Sequence, residues 1–266
     1  MNLADICHAV TRLTSDVGQF ILAERLSFQS SAIERKGHND LVSYVDKEAE
    51  SRLVEQLTEL IPDAGFLTEE NTKQVQGKSY CWIIDPLDGT TNFIHGIPCF
   101  CISIGLHYEG QPVLGVVHEL NLNECFYAWK NGGAYLNGKK IRVSEVSVVS
   151  DSLIATGFPY HDYNRMKPYM EVFDHLMHHS HGLRRLGSAA ADLAYTAAGR
   201  FEAFYEYGLN PWDVAAGVVL VQEAGGVVSD FSGTDNHTFG KEIIASNAKI
   251  YPEFLEIIQE KFGADR

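Results

Sequence analysis

The spacing of apolar residues predicts two long helices near the start of the chain. Between residues 4 and 26 the apolar positions follow a helical period, at Ile6, Val10, Leu13, Val17 and Ile21. A second helix is predicted from about residue 46 to residue 60, with one face formed by Ala49, Leu53, Leu57 and Leu60. Each helix has one apolar face, which must pack against another element of the fold.

From residue 100 to residue 143 the apolar period shortens to two, which is typical of strands with one buried face. The strand-like runs are CISIGLHY, PVLGVVHEL, ECFYAW, AYL and KIRVS, and turn residues separate them at 109–110, 121–123, 131–132 and 137–138. Asn-Gly between two such runs is a strong hairpin signal. The sequence therefore predicts an antiparallel meander in this region.

After residue 150, strand-like and helix-like segments alternate. Strands are predicted at SLIATGF, LRRL, FEAFYEY, GVVSD and EIIASN, and helices at YNRMKPYMEVFDHLMH, residues 188–198, PWDVAAGVVLVQEA and residues 252–262. This order predicts an α+β region followed by an α/β region, with helices covering the sheets. We expect a soft boundary near residue 145, so that an N-terminal α+β subdomain (1–145) and a C-terminal α/β subdomain (146–266) share one cleft.

Composition narrows the class of protein. The chain of 266 residues is 45% hydrophobic and 21% charged, as expected of a globular protein. Its net charge of −14 argues against binding nucleic acid directly. No apolar run approaches the roughly 20 residues of a membrane span, and no signal peptide pattern is visible. Five cysteines without a CxxC pair are expected to be buried and reduced, which favours a cytoplasmic protein.

The segment CWIIDPLDGTTNF, residues 81–93, carries the clearest chemical signal. The strand WIID ends on Asp85, Pro86 is expected to turn the chain, and Asp88 follows three positions after the first acid. Two close carboxylates repel each other unless a cation lies between them, and oxygen ligands suit a hard metal such as magnesium. Gly89 and the threonines suit a helix start, whose N–H groups attract anions. The alternative is an ordinary turn with a helix cap.

Two other segments place acids at the ends of elements. The sequence TEE at residues 68–70 follows an apolar run, and Asp213 is expected in the first turn of a helix that begins at Pro211. Taken alone, Asp213 would be explained by the favourable interaction of an acid with the N-terminal end of the helix dipole. Acids at the ends of three separate elements are harder to explain by local structure alone, and together they favour a shared metal site.

The string WIIDPLDGTTNF, with TEE upstream and WDVAAG…EAGG downstream, resembles the inositol monophosphatase family of magnesium-dependent, lithium-sensitive phosphatases. The segments RRLGSAAADLAY (184–195) and YEYGLNPWD (205–213) extend the resemblance over essentially the whole chain. The resemblance implies a layered αβαβα sandwich of the sugar-phosphatase type, in which the two subdomains form one catalytic domain. It also implies two to three Mg²⁺ ions for each active site, a phosphorylated polyol as substrate, and a homodimer.

The resemblance further implies a role for individual residues in metal binding. Glu69 would bind a metal and contact the attacking water, and Asp85 would bridge two metals. The carbonyl group of Leu87 would be a main-chain ligand. Asp88 and Asp213 would complete the ligands of the second metal.

Other roles implied by the resemblance concern the water and the substrate. Thr90, with Glu69, would activate the water, and Asp46 would support a third, weaker metal. The phosphate cradle and polyol pocket would be formed by Asp88, Gly89, Thr90, Gly187, Ser188, Ala189, Glu206 and Asp213. The family often has glycine before the acid pair, whereas this chain has Thr68, which puts the local turn geometry in question.

These features predict hydrolysis of inositol monophosphate by direct attack of an activated water. Related phosphatases act on 3′,5′-bisphosphate nucleotides, fructose 1,6-bisphosphate, histidinol phosphate or NADP, and these substrates remain alternatives; GTTNF resembles the inositol branch better. A phosphatase of the haloacid dehalogenase type would need D-x-D-G-T, and a calcium loop would need carboxylates where Leu87 and Gly96 stand. A mainly regulatory, protein-binding role is the alternative from another class.

Several other polar residues have an ordinary structural interpretation. His175 and His179 have a spacing that could bind a metal, but with His178 and His181 they are better explained as a solvated helix end. Arg184 and Arg185 are expected at the surface or at a subunit contact. Glu206 could equally be an exposed strand residue.

Overall fold

The computed structural model describes residues 2–28, 33–35, 41–73, 75, 77, 79–160 and 162–263. In this part of the chain the helices are α1 (Leu3–Ser27), α2 (Tyr44–Leu60), α3 (Thr90–His95), α4 (Met166–His179), α5 (Ala189–Ala197), α6 (Pro211–Glu223) and α7 (Tyr251–Phe262). The strands are β1 (Ile33–Arg35), β2 (Leu41–Ser43), β3 (Gly65–Thr68), β4 (Tyr80–Asp88), β5 (Cys101–Tyr108), β6 (Gln111–Glu119), β7 (Glu124–Trp129), β8 (Gly133–Leu136), β9 (Lys139–Ile141), β10 (Leu153–Thr156), β11 (Gly182–Arg184), β12 (Ala203–Tyr207), β13 (Gly226–Ser229) and β14 (Glu242–Asn247).

The first large sheet has seven strands in the order β3-β4-β5-β6-β7-β8-β9. Strand β3 runs parallel to β4, and each later pair is antiparallel, which confirms the predicted meander. The turn from β5 to β6 places Glu109 and Gly110 at positive φ, and the turn from β8 to β9 does the same with Asn137 and Gly138, as type I′ hairpins require. A short antiparallel pair, β1 and β2, was not predicted.

The second sheet has five strands in the order β11-β10-β12-β14-β13. Helices α5 and α6 lie between the two sheets and share an apolar core with both. Helices α1 and α2 cover the outer face of the seven-stranded sheet, and α4 and α7 cover the outer face of the five-stranded sheet. The predicted αβαβα layering is therefore confirmed. None of the described helices is long and apolar enough to cross a membrane.

Helix α6 packs unusually close to the seven-stranded sheet. A Cβ atom built on Gly115 of β6 would lie 2.2 Å from the carbonyl oxygen of Ala216, so only glycine fits there. The Ser103 hydroxyl on β5 donates a hydrogen bond to the carbonyl of Trp212 at 3.1 Å. These contacts fix the start of α6, and with it Asp213, against the strands that carry the other acids.

One local prediction was wrong. Pro86 was expected to turn the chain away from the sheet after Asp85, but β4 continues to Asp88. The pairing with β5 shifts between Asp85 and Asp88, so a bulge absorbs the proline, which has no N–H to donate to the partner strand. The bulge leaves both acids on one short, bent piece of strand.

Candidate active site

Asp85 lies at the centre of the site. The residue is 2% exposed, and its carboxyl group accepts a hydrogen bond from the main-chain N–H of Leu87 at 2.9 Å. Burial raises the pKa of Asp85 well above its ordinary value, and the charges of Glu69, Asp88 and Asp213 raise it further. A hydrogen bond also joins the carboxyl groups of Asp85 and Glu69. The four predicted acids therefore lie close enough to interact.

Glu69 reaches this cluster from the end of β3, where its N–H donates to a carbonyl of β4 at 3.2 Å. The buried Glu50 of α2 holds the turn that follows, because its carboxylate accepts from the N–H groups of Glu70 at 2.7 Å and Thr72 at 2.8 Å. Sequence analysis missed Glu50, since a glutamate among several acids on a helix usually faces solvent. Thr68 is a buried strand residue with no positive φ, so its presence instead of glycine strains nothing.

Asp88 is the last residue of β4, and its carboxylate lies against the N-terminus of α5. One carboxylate oxygen accepts from the Ser188 hydroxyl at 2.8 Å and from the N–H of Ala190 at 2.7 Å. A helix N-terminus favours a carboxylate, because its first N–H groups have no partner within the helix. Burial raises the pKa of Asp88 to about 6, although these two hydrogen bonds oppose the shift. The contact joins two motifs that lie about a hundred residues apart in the sequence.

Asp213 is the third residue of α6, and Pro211 is the first, as the sequence predicted. Its carboxylate accepts from the N–H of Asn210 at 2.7 Å and forms a capping box with that residue. Burial raises the pKa of Asp213 well above its ordinary value, and the charge of Asp88 raises it further. Asp213 therefore caps its own helix and also faces the acids of β4.

Thr90, the first residue of α3, contacts two groups of the site. Its hydroxyl lies 3.1 Å from Oδ1 of Asp46 and 3.0 Å from the carbonyl oxygen of Leu87. Asp46 is buried near the start of α2, and its other oxygen accepts from the N–H of Ser43 at 2.9 Å and from the Ser43 hydroxyl at 2.6 Å. The carboxylate is thus fixed at one end and presents the other to Thr90.

A cavity of about 170 Å³ opens beside these residues. The predicted site residues that line it are Glu69, Asp85, Leu87, Asp88, Gly89, Thr90, Gly187, Ser188, Ala189, Glu206 and Asp213. Asp46 is the predicted site residue that does not line the cavity, because it lies behind Thr90. The cavity lining therefore brings together residues from three helix N-termini and both sheets, and Asp46 adds a fourth helix start behind them.

Glu206, on β12, is 6% exposed, so the alternative of an exposed strand residue was wrong. Burial raises the pKa of Glu206 to about 8, and the charge of Arg185 acts in the opposite direction. A Cβ atom on Gly157 would lie 2.0 Å from Oε2 of Glu206, so a larger residue at this position would displace the carboxyl group. Glu206 lines the same cavity as the four acids, so a molecule bound in the cavity can contact its carboxyl group.

Two further residues of the cavity were not predicted. Arg185 is half-buried and lines the cavity, whereas Arg184 is exposed as expected. Asp192, on α5, is 1% exposed and also lines the cavity. The signal that could have revealed Asp192 is its position as a lone acid within the apolar sequence SAAADLA. The four histidines near the end of α4 do not line this cavity, which agrees with a solvated helix end.

The donor groups at the site fit a hard divalent cation such as magnesium. They are carboxylate and carbonyl oxygens. Burial raises the pKa of Asp85, Asp88 and Asp213, and neighbouring acids raise those of Asp85 and Asp213 further, as expected for clustered acids without a cation between them. In the described part of the chain, no three His, Cys, Asp or Glu side chains already have the spacing of a metal site.

The layered fold and its acidic cavity are those of the sugar-phosphatase type. The model of the inositol monophosphatase family matches residues 3–262. The chain is 40% identical over 253 residues to the Nus factor SuhB of Pseudomonas aeruginosa, covering 93% of each chain. It is 38% identical over 237 residues to the inositol-1-monophosphatase of Mesorhizobium japonicum, covering 89% of each chain.

A solved structure agrees with these sequence matches. The inositol monophosphatase from Anabaena (Nostoc) superposes with a TM-score of 0.87 at 35% identity, covering 99% of this chain and 100% of that chain. The chain therefore belongs to the inositol monophosphatase family.

Proposed function

We propose that the protein is a magnesium-dependent phosphomonoesterase that hydrolyses inositol monophosphate to inositol and phosphate. The observation that carries this proposal is the convergence of Glu69, Asp85, Asp88 and Asp213 at one cavity. Their raised pKa values indicate a surplus of negative charge that a phosphate could approach only with cations present. Membership of the family supports the same reaction class.

We assign the metal ligands from the acids and one carbonyl group. Glu69, Asp85 and the Leu87 carbonyl would hold one ion, and Asp85 with Asp88 and Asp213 would hold a second. Bound there, magnesium supplies positive charge that offsets the phosphate and the departing alkoxide. Because the Leu87 carbonyl accepts from Thr90 at 3.0 Å, a ligand role for Leu87 implies that the Thr90 hydroxyl then turns to Asp46.

The chain's own residues orient the water and hold its proton. The Thr90 hydroxyl donates to the buried Asp46 carboxylate, so that its lone pair is free to accept a proton or a hydrogen bond from water. Glu69 interacts with Asp85 and is half-exposed to the cavity, where it can accept the proton that the water loses. Asp46 thus acts through Thr90, in addition to the outer metal role implied by the family resemblance.

Another part of the cavity lining suits a polyol. Ser188 and Ala189 lie at the start of α5, Gly187 precedes them, and Glu206 presents a buried carboxyl group. Hydroxyl groups of a leaving alcohol can donate to Glu206 and accept from main-chain N–H groups. A small polar leaving group therefore fits this wall better than a large apolar one.

The test is phosphate release from inositol 1-phosphate, adenosine 3′,5′-bisphosphate, fructose 1,6-bisphosphate and histidinol phosphate, each with magnesium and with EDTA, and with and without lithium. We expect the highest kcat/KM for inositol 1-phosphate and loss of activity in EDTA. Activity that survives EDTA would contradict the metal assignment. A covalent phosphoenzyme on Asp85 would contradict direct attack by water.

A second candidate is a regulatory, protein-binding role, which the 40% identity to a Nus factor SuhB favours. The net charge of −14 supports a protein partner over direct contact with nucleic acid. If deletion of the gene produces a growth defect, correction of that defect by the catalytically inactive Asp85→Asn chain would support this role. Failure of that variant, with rescue by the unmodified chain, would assign the phenotype to hydrolysis.

Three proposals concern organisation. The segments 1–145 and 146–266 would act as one catalytic domain, which the hydrogen bonds from Ser188 and Ala190 to Asp88 support. A homodimer follows from the family resemblance, and the oligomeric state is checked by sedimentation. A cytoplasmic location is supported by five free cysteines.

A further inference from the structure

Two polar atoms in the wall of the cavity lack hydrogen-bond partners. They are Oδ1 of Asp192 and Nε of Arg185, and none of the described residues donates to the first or accepts from the second. Both residues line the cavity, and Asp192 is 1% exposed. Because a buried polar atom without a partner costs about 1–3 kcal/mol, this wall is best completed by a molecule that enters the cavity.

Asp192 and Arg185 influence each other without forming a direct ion pair. Burial raises the pKa of Asp192, the charge of Glu206 raises it further, and the Arg185 guanidinium opposes the shift. The guanidinium is held elsewhere, since it donates to the Tyr160 hydroxyl and stacks over the rings of Phe158 and Tyr160. Oδ1 of Asp192 and Nε of Arg185 therefore both remain without a partner in the wall of one cavity.

The chemistry of the wall selects the group that fits. An ammonium group would satisfy Asp192 but would be repelled by Arg185. A second phosphate would pair with Arg185 but, when fully ionised, has no proton to donate to the unpartnered Oδ1 of Asp192. A hydroxyl group is neutral and both donates and accepts, so it can satisfy Asp192 and Arg185 at once.

We propose that Asp192 and Arg185 form a hydroxyl-binding subsite, which selects neutral polyol leaving groups over those that carry a second phosphate. A substrate hydroxyl donates to Oδ1 of Asp192 and accepts from Nε of Arg185. This inference rests on the proposed function and adds two recognition residues to Glu206. The two residues would affect specificity and not the chemical step, because neither is assigned to bind a metal ion or the attacking water.

The experiment compares inositol 1-phosphate with cyclohexyl phosphate, which has the same ring without hydroxyl groups. For Asp192→Leu, we expect KM for inositol 1-phosphate to rise about tenfold, the effect of one hydrogen bond to a charged group. The KM for cyclohexyl phosphate should not change. Arg185→Lys, which keeps the charge but lacks Nε–H, should shift the two substrates in the same unequal way. For both variants, kcat/KM for fructose 1,6-bisphosphate relative to inositol 1-phosphate should increase.

Controls separate recognition from disturbance of α5. Asp192→Asn keeps the side-chain shape if the leucine variant does not fold, and should give a smaller shift in the same direction. Thr196→Val removes the hydroxyl that donates to the Asp192 carbonyl at 2.8 Å, and it should leave both KM values unchanged. Equal changes for inositol 1-phosphate and cyclohexyl phosphate, or no change for either, would overturn the subsite.

Calorimetric binding of free inositol distinguishes this inference from the proposed function. If the unmodified chain is inactive in magnesium but binds inositol, and Asp192→Leu weakens that binding, the subsite stands and the proposed reaction fails. If the chain is active, and Asp192→Leu changes neither the inositol affinity nor the substrate preference, the reaction stands and the subsite fails. Absence of both activity and inositol binding in the unmodified chain contradicts both.

Discussion

The Thr90 hydroxyl lies 3.1 Å from the carboxylate of Asp46, although 44 residues separate the two in the sequence. Ser43 fixes the far oxygen of that carboxylate through its N–H and its hydroxyl. The pair therefore has a defined direction, in which the buried acid accepts and the threonine hydroxyl faces the cavity. The first prediction tests whether this direction matters for hydrolysis.

Replacing Thr90 with alanine removes the hydroxyl while keeping a residue suited to a helix start. We expect kcat to fall about 100-fold, the lower end of the range for a lost proton-transfer group, with little change in KM. Thr90→Ser keeps the hydroxyl and should retain most of the activity. Steady-state kinetics in magnesium measure both variants, and equal loss for serine and alanine would show that the methyl group, not the hydroxyl, is required.

Asp85→Asn removes one charge from the acid cluster. We expect turnover to be abolished, because the acid assigned to both ions is lost. The free energy of unfolding in EDTA should stay the same or increase, since burial and three neighbouring acids raise the pKa of Asp85. Phosphate release and urea denaturation measure the two effects. Asp16→Asn, at an exposed position of α1, is the matched control. Retention of more than a tenth of the activity would count against the assignment.

Magnesium should reverse the pH dependence of stability that the acids create. The folded chain raises the pKa of Asp88 to about 6 and those of Asp85 and Asp213 above their ordinary values, so it binds more protons than the unfolded chain. In EDTA, the free energy of unfolding should therefore fall as the pH rises from about 4 through about 6 and beyond.

Denaturation curves across this pH range, with EDTA and with magnesium, measure the effect. Saturating magnesium at about 100 times its dissociation constant should add about 2.7 kcal/mol near neutral pH. The gain should shrink at low pH, where protons compete for the same oxygens. A flat pH profile in EDTA, or equal profiles with and without magnesium, would contradict the clustering of uncompensated acids.

Gly115→Ala tests the close packing of α6 on the sheet. Because the new Cβ would lie 2.2 Å from the Ala216 carbonyl, the helix must move, and we expect a loss of about 1–3 kcal/mol in unfolding free energy. Activity should also fall, since the same helix carries Asp213. Gly263→Ala, where nothing lies within 4 Å and φ is −76°, should change neither quantity. A stable Gly115→Ala with normal kcat would show that α6 is not rigidly positioned.

The elements of this fold could be predicted because their apolar periods are long and regular. The meander and helices α1, α2 and α6 follow directly from such patterns. The strand order of the second sheet could not be predicted, because short buried strands carry no signal of their neighbours. The path of β4 past Pro86 differed because a bulge can absorb a proline within a strand.

The acids of the site could be predicted because each follows an apolar run at the end of an element. Glu50 and Asp192 could not, since Glu50 is one of several acids in α2 and Asp192 is a single acid in α5, and only the fold shows that both are buried. The hydrogen bond between Asp46 and Thr90 could not be predicted either, because sequence spacing does not reveal it; the outer metal role of Asp46 stays a prediction.

Three helices begin at this cavity with a residue of the site: Thr90 in α3, Ser188 before α5 and Asp213 in α6. A fourth, α2, carries Asp46 in its first turn, behind Thr90. Architecture and chemistry therefore constrain the same side chains, and a change in any of them would disturb a helix start as well as the reaction. Arg185 and Asp192 begin no helix. Substitutions at these two positions offer this scaffold its freest route to new substrates.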